Sequence, residues 1–238
     1  MTAMQSGAGA PSWSIGNAIS TASAILVSHF GPFFGTALIA SVPSLVFDYL
    51  VPGSYFRPIA NVIIGQIVSV TLVYGSMQAL RGRRVTIGEC LSEGLKRLGA
   101  ALGVAILSGI GVFLGLLLLI VPGLILGTMW AVAVPAAVIE QRGSTAALSR
   151  SQELTSGRRG RVFGAYLVAL LLMWVGAMVT EGVLTVITGF RSTATHIGLW
   201  AFSALFEAFT ACLLATLYYY LRREKEGVDI DQIAAVFD

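Results

Sequence analysis

Glu207 stands in a long apolar run, about 15 positions or about 22 Å of helical rise before Arg222, the first arginine that follows it. A carboxylate that far from a charged boundary must be protonated, paired or wet, and those are the states in which an acid carries a proton or holds a cation. Helical spacing puts Ser203, Ala204, Thr210 and Ala211 beside it and leaves Leu205, Phe206, Phe209 and Leu213 to other faces. Ser203, Thr210 and Glu207 thus form a small, polar stripe expected to point into a bundle. Two roles fit it: a proton-coupled or ligand-binding site, and a structural acid hydrogen-bonded between helices. Asp48 and Glu181, near the ends of their own apolar runs, are expected to pair with Arg57 and Arg191.

The other reactive residue types are sparse. The two histidines, His29 and His196, are predicted near opposite membrane faces, too far apart to join the several carboxylates that a metal-dependent diester hydrolase needs. No Gly-x-Ser-x-Gly turn occurs. Cys90 and Cys212 lie on different elements without a Cys-x-x-Cys pair, which points to small apolar packing residues and away from zinc or a redox dithiol. The expectation is a chain without enzyme activity, metal or cofactor.

The elements that must position Glu207 are set by the solvent. With 56% apolar and 11% charged residues and a mean hydropathy of +0.82, the chain is far from the soluble balance of about 25% charged residues. A hydrocarbon core about 30 Å thick takes about 20 apolar residues per helix. Six runs qualify: Gly31 to Val51, Ile59 to Leu80, Leu98 to Ile120, Leu124 to Ile139, Val162 to Thr188 and Ile197 to Leu221. Val121-Pro122-Gly123 reads as the turn between the third and fourth. Trp200 and Tyr218-Tyr219-Tyr220 suit the two interfaces of the last. Thirteen of the fifteen Lys and Arg follow the second, fourth and sixth runs, and only Arg57 and Arg191 fall in the opposite connections. Cytoplasmic loops accumulate Lys and Arg, so both termini are expected in the cytoplasm. Residues 1–11 lack the basic segment of a signal peptide and read as a disordered tail.

A repeat refines this picture. Ser14-Ile-Gly-Asn-Ala-Ile-Ser20 matches Thr86-Ile-Gly-Glu-Cys-Leu-Ser92 at an offset of 72, with identity or close similarity at six of seven positions, and Ala147-Leu148-Ser149 is a weaker third copy. Apolar residues then recur at helical spacing, as Ile15, Ala18, Ile19, Ala22 and Leu26, and as Ile87, Cys90, Leu91, Leu95 and Leu98. The fold class expected is all-α: six transmembrane helices as three hairpins, each preceded by a cytoplasmic amphipathic helix. Residues 12–222 form one membrane domain, and 223–238 a cytoplasmic tail with a short amphipathic helix at Ile230, Ile233, Ala234 and Phe237. Five Gly-x-x-x-Gly pairs, among them Gly111/Gly115 and Gly123/Gly127, favour close helix packing.

The third amphipathic element is the most basic. Ala147, Leu148, Ser151 and Leu154 make a narrow face, while Arg142, Arg150, Arg158, Arg159 and Arg161 fall at headgroup depth, where each is worth about 1 kcal/mol against an anionic leaflet. These five are candidate ligands for anionic phospholipid, although topology alone would also keep them cytoplasmic. Nucleic acid is excluded as a partner, because a pI near 9.1 reflects topogenic arginines and no binding stripe.

Three segments carry a resemblance: Val121-Pro-Gly-Leu-Ile-Leu with Val134-Pro-Ala-Ala-Val-Ile-Glu140, then Ala147-Leu-Ser-Arg-Ser-Gln-Glu-Leu-Thr-Ser-Gly157, and the ending Leu217-Tyr-Tyr-Tyr-Leu-Arg-Arg-Glu-Lys-Glu-Gly227. Together they resemble the YciC-like family, related to the membrane domain of glycerophosphoryl diester phosphodiesterases, over Ser14 to Asp238. The resemblance implies a six-helix bacterial inner-membrane protein without the catalytic phosphodiesterase barrel. The function expected from these readings is a non-enzymatic accessory protein that organises phospholipid, a membrane-protein partner or further copies of itself through its basic cytoplasmic helices. The alternative is a small transporter or carrier working through Glu207, and a water-lined cavity reaching that residue discriminates the two.

Overall fold

The computed structural model describes residues 13–51, 55–189 and 192–227. Regular structure among them is helical throughout, as α1 (Ile15–Ser28), α2 (Phe30–Leu50), α3 (Arg57–Leu80), α4 (Ile87–Lys96), α5 (Leu98–Leu118), α6 (Ile120–Met129), α7 (Ala133–Ile139), α8 (Ser144–Thr155), α9 (Arg159–Thr188) and α10 (Thr193–Glu226). Six stretches are long and apolar enough to cross a membrane: α2, α3, α5, α6 with α7, α9 and α10. This is a multi-pass membrane protein.

All six spans fall within about five residues of the runs read from the sequence, and the fourth begins at Ile120, four residues before the expected Leu124. Its predecessor stops at Leu119, which is extended, and α6 starts at Ile120 with Pro122 and Gly123 inside its first turn. Proline is tolerated there because the first-turn N–H groups have no helical partner anyway. The turn moves two residues toward the N-terminus and the two helices close tightly. A Cβ on Gly123 would lie 2.4 Å from Leu116 Cγ, and one on Gly115 2.9 Å from Gly123 Cα.

The fourth span is also broken internally, at Trp130–Val132. Pro135 has no N–H for the carbonyl of Ala131, four residues back; the hydroxyl of Tyr166 on α9 donates to that oxygen at 2.9 Å instead. Ala133 N–H turns to Trp130 O, which frees Met129 O to accept from Ser151 Oγ at 2.7 Å and Thr155 Oγ1 at 3.2 Å. Ser151 Oγ in turn accepts from Val132 N–H at 3.2 Å. Irregular backbone inside a membrane protein survives only where its polar groups are satisfied in this way, so α8 and α9 are the splint of the broken span.

The three short helices form a collar at one end of the bundle. The two strong repeat copies begin at equivalent caps: Ser14 Oγ accepts from Asn17 N–H at 3.1 Å, and Thr86 Oγ1 accepts from Glu89 N–H at 3.3 Å while donating to the Glu89 carboxylate at 2.8 Å. The third copy differs, because Ala147 to Ser149 lie inside α8, which starts after Gly143 without a side-chain cap. The apolar stripes face protein. Ala18, Ala22, Ile25 and Leu26 of α1 are buried, as are Cys90 and Gly94 of α4 and Ala147, Ser151, Leu154 and Thr155 of α8. A Cβ on Gly94 would lie 2.6 Å from the Thr71 backbone, so α4 sits directly on α3.

Association without a hydrophobic drive between helices depends on small residues that let backbones approach. In α10 these are Ala204, Ala208, Ala211 and Ala215, all buried. Leu213, placed by helical spacing off the Glu207 face, is 1% exposed, because the collar end of α10 is buried from Ala211 to Leu213 and again from Ala215 to Tyr219. Large exposed apolar residues lie along α2, α3, α5, α6 and α9, for example Val46, Ile63, Phe113, Leu117, Trp174 and Met178, as expected of surfaces turned to lipid.

Candidate functional site

Glu207 lies at the meeting point of two cavities. The first, of about 430 Å³, lies among α2, α3 and α10 and is lined by Ser41, Ser44 and Asp48 of α2, by Asn61, Ile64 and Gly65 of α3, and by His196, Leu199, Trp200, Ser203 and Glu207 of α10. The second, of about 370 Å³, lies among α3, α9 and α10, shares Asn61, Gly65 and Glu207 with the first, and is otherwise walled mainly by Val62, Met173, Phe206, Ala211 and Leu214. Gln66, Ser69 and Thr210 also reach it. A polar compartment and a largely apolar one therefore share a single acid.

The polar lining follows helical spacing: Ser41, Ser44 and Asp48 on α2, Asn61 and Gly65 on α3, and His196, Trp200, Ser203 and Glu207 on α10, each at steps of three or four. Of the stripe read from the sequence, Ser203 lines the first cavity with Glu207 and Thr210 lines the second. Neither hydroxyl bonds to the acid. Ser203 Oγ donates to Trp200 O at 2.8 Å and Thr210 Oγ1 to Phe206 O at 2.9 Å, the usual back-bonding of hydroxyls in apolar helices. Glu207 Oε2 is shut from solvent and has no hydrogen-bond partner among the described residues. Trp200 Nε1 donates to Ser41 O at 3.3 Å, tying α10 to α2 beside Pro43.

Toward the collar the bundle closes. Val68, Leu72, Val73, Leu213 and Leu217 are each at most 1% exposed, and Ser76 Oγ donates to Cys212 Sγ at 3.4 Å. The cavities lie away from the collar, at the end of α10 that begins near His196. No group of three or more His, Cys, Asp or Glu suited to a metal occurs among the described residues.

The collar holds the candidate lipid ligands, and their charges meet carboxylates of the same chain. Glu140, 7% exposed, accepts from Arg150 Nε at 2.9 Å and Arg142 Nε at 2.5 Å and from the Tyr218 hydroxyl at 2.6 Å. Burial would raise its pKa, but the hydrogen bonds from Tyr218 and Arg150, with the charges of Arg150 and Arg142, outweigh that and hold the carboxyl below its usual range. Arg150, 10% exposed, also pairs with Glu153 at 3.1 Å and with Glu226. Arg158 and Arg161 converge on Glu224 at 2.8 and 3.1 Å. Arg161 further donates to Trp13 O at 2.8 Å and lies over the Trp13 ring, which stacks on Tyr220. Arg159 begins α9, half-buried.

Glu224 and Glu226 carry α10 one turn past Arg222, where the expected tail begins, and Gly227 ends the helix in the left-handed region. Cys90 is buried, and burial pushes its thiol up to about 11. The expected pairs Asp48–Arg57 and Glu181–Arg191 involve an Arg57 side chain and an Arg191 that lie outside the described residues, as do residues 1–11 and Ile230, Ile233, Ala234 and Phe237. No family model, curated protein or solved structure matches this chain.

Proposed function

We propose that the chain is a small membrane carrier that takes its ligand in the pocket at Glu207. One observation carries the reading: Glu207, an acid within an apolar span, lines a polar cavity of about 430 Å³, and its buried Oε2 has no hydrogen-bond partner among the described residues. An unsatisfied buried polar atom costs about 1–3 kcal/mol, and in a membrane interior such groups mark ligand, ion or proton pathways. Closure on the collar side gives the arrangement of a carrier loaded from the opposite face. The basic collar supports an orientation with both termini and the amphipathic helices on the cytoplasmic side of three hairpins, and the sequence resemblance to the YciC-like family is what supports a bacterial inner membrane.

The accessory reading, in which the collar organises anionic phospholipid or a partner, is the second. Its support is the basic segment with Arg142 and Arg158, 47% and 42% exposed. It is the weaker of the two because Arg150, Arg158 and Arg161 are already held by Glu140, Glu224 and Glu226. The test is reconstitution in sealed liposomes with a trapped pH dye. Native protein is expected to couple proton movement to uptake of an added solute, and Glu207→Gln to abolish that coupling. Equal fluxes in the two proteins would overturn the carrier reading.

A further inference from the structure

The two cavities at Glu207 differ in character, and that difference names a ligand. In the first, the hydroxyl protons are already used: Ser41 Oγ donates to Leu38 O at 3.2 Å, Ser44 Oγ to Ser41 O at 2.7 Å and Ser203 Oγ to Trp200 O at 2.8 Å. What these three serines offer the cavity is lone pairs. Together with the Glu207 and Asp48 carboxylates they make a wall in which acceptors outnumber donors; the Asn61 amide and the His196 imidazole are its other polar side chains, and the described lining holds no lysine or arginine. Such a wall fits a group that only donates, and an ammonium has three N–H donors and no acceptor. The indole of Trp200 in the same wall adds an aromatic surface of the kind that favours cations.

The second cavity continues from Glu207 between Val62, Met173, Phe206 and Leu214. It adjoins the stretch of α9 where Leu172 and Trp174 are turned outward. Among the described residues that line it, Glu207 alone is ionisable, and an alkyl chain leaving the ammonium meets mainly apolar side chains. We infer that the ligand of this site is an amphiphilic amine, its protonated nitrogen on Glu207 and its alkyl chain in the groove between α3, α9 and α10. The occupant is phosphate-free: the phosphate of an aminophospholipid, two carbons from its nitrogen, would face the same carboxylate and lone pairs. This inference rests on the carrier reading and narrows it.

The test uses the full chain in phosphatidylcholine nanodiscs and reads Trp200 fluorescence, with Trp200→Phe defining the background from the other tryptophans. Dodecylamine, dodecanol, dodecanoate, methylamine and short-chain phosphatidylethanolamine are titrated in turn. Saturable binding of dodecylamine at least tenfold tighter than dodecanol or dodecanoate, and lost at least tenfold in Glu207→Gln, is the expected result. Leu214→Trp, which fills the groove, is expected to weaken dodecylamine while sparing methylamine. Equal binding of the alcohol or the carboxylate would overturn the ammonium assignment. Glu207-dependent binding of methylamine as tight as dodecylamine would overturn the chain's role and leave the carrier reading standing. Tighter binding of phosphatidylethanolamine would overturn the phosphate-free assignment. Absence of Glu207-dependent binding by every probe, in a variant that still elutes as folded protein, would overturn the inference and remove the support for the reading beneath it.

Discussion

Replacing Arg150 with methionine should expose how much of the fold hangs on the collar. Arg150 is 10% exposed and joins α8 to Glu140 and to Glu226 on the last turn of α10. Removing one partner of a buried ion pair costs about 3–5 kcal/mol, because the other charge is stranded. Here the stranded Glu140 keeps Arg142 and the Tyr218 hydroxyl, at 2.5 and 2.6 Å, which argues for the lower end. Loss of the 66%-exposed Glu153 adds no more than about 1 kcal/mol. Methionine retains the packing of the aliphatic stem. The net expectation is about 3 kcal/mol, or a fall of about 6–12 °C in Tm for a chain of this size, read by thermal unfolding in a mild detergent. A second substitution, Glu140→Leu, removes the stranded acid and should recover part of that loss.

Acid adds an independent check on the same pair. The folded pKa of Glu140 lies below its unfolded value of about 4.3, so its stabilisation is complete above that pH. It is lost as pH falls through the folded value. Arg150→Met should flatten this acid-side decline. A Tm shift under about 2 °C, with an unchanged acid profile, would refute the reasoning and show the collar pairs to be as weak as solvated surface pairs.

Three further outcomes follow from the packing. Tyr166→Phe leaves the carbonyl that Pro135 frees, Ala131 O, without its donor, and should cost about 1–3 kcal/mol in the same thermal assay. Gly94→Val drives a side chain into the Thr71 backbone, 2.6 Å from the position of its Cβ, and should lift α4 off α3 at a cost of about 1–3 kcal/mol, measurable as new protease cleavage near Arg97. The Cys90 thiol, buried and pushed up to about 11, should stay unreactive to a water-soluble maleimide at pH 7 until the protein is unfolded.

The sequence made the spans legible because bilayer thickness imposes a length that composition reveals. Glu207, Ser203 and Thr210 were legible for the same reason, since a charge in an apolar run has few innocent explanations. Other wall residues of the site, Ser41, Ser44 and Asn61 among them, were within reach through the three-and-four spacing of polar residues on α2 and α3. What hid them is that serine in an apolar helix usually bonds its own backbone, as Ser41 and Ser44 do. The break in the fourth span was not legible: Pro135 alone permits either a kink or a break, and the outcome depends on Ser151, Thr155 and Tyr166 supplying the missing bonds. The arginines of the collar were visible as charges, but the partners that hold them are as distant in the chain as Glu226 is from Arg150, 76 positions, and such pairings are fixed only by folding.

On the carrier reading, water and ligand reach Glu207 from the end of the bundle opposite the collar. Ser203→Cys puts a thiol one helical turn from Glu207, inside the same cavity, in a chain whose own cysteines, Cys90 and Cys212, are both buried. In sealed vesicles of defined orientation, a membrane-impermeant charged maleimide is predicted to label this introduced thiol from the side opposite the collar and not from the collar side. A thiol at position 203 that stays unlabelled from both sides until the protein is denatured would contradict the account, because it would mean that Glu207 sits in a dry bundle.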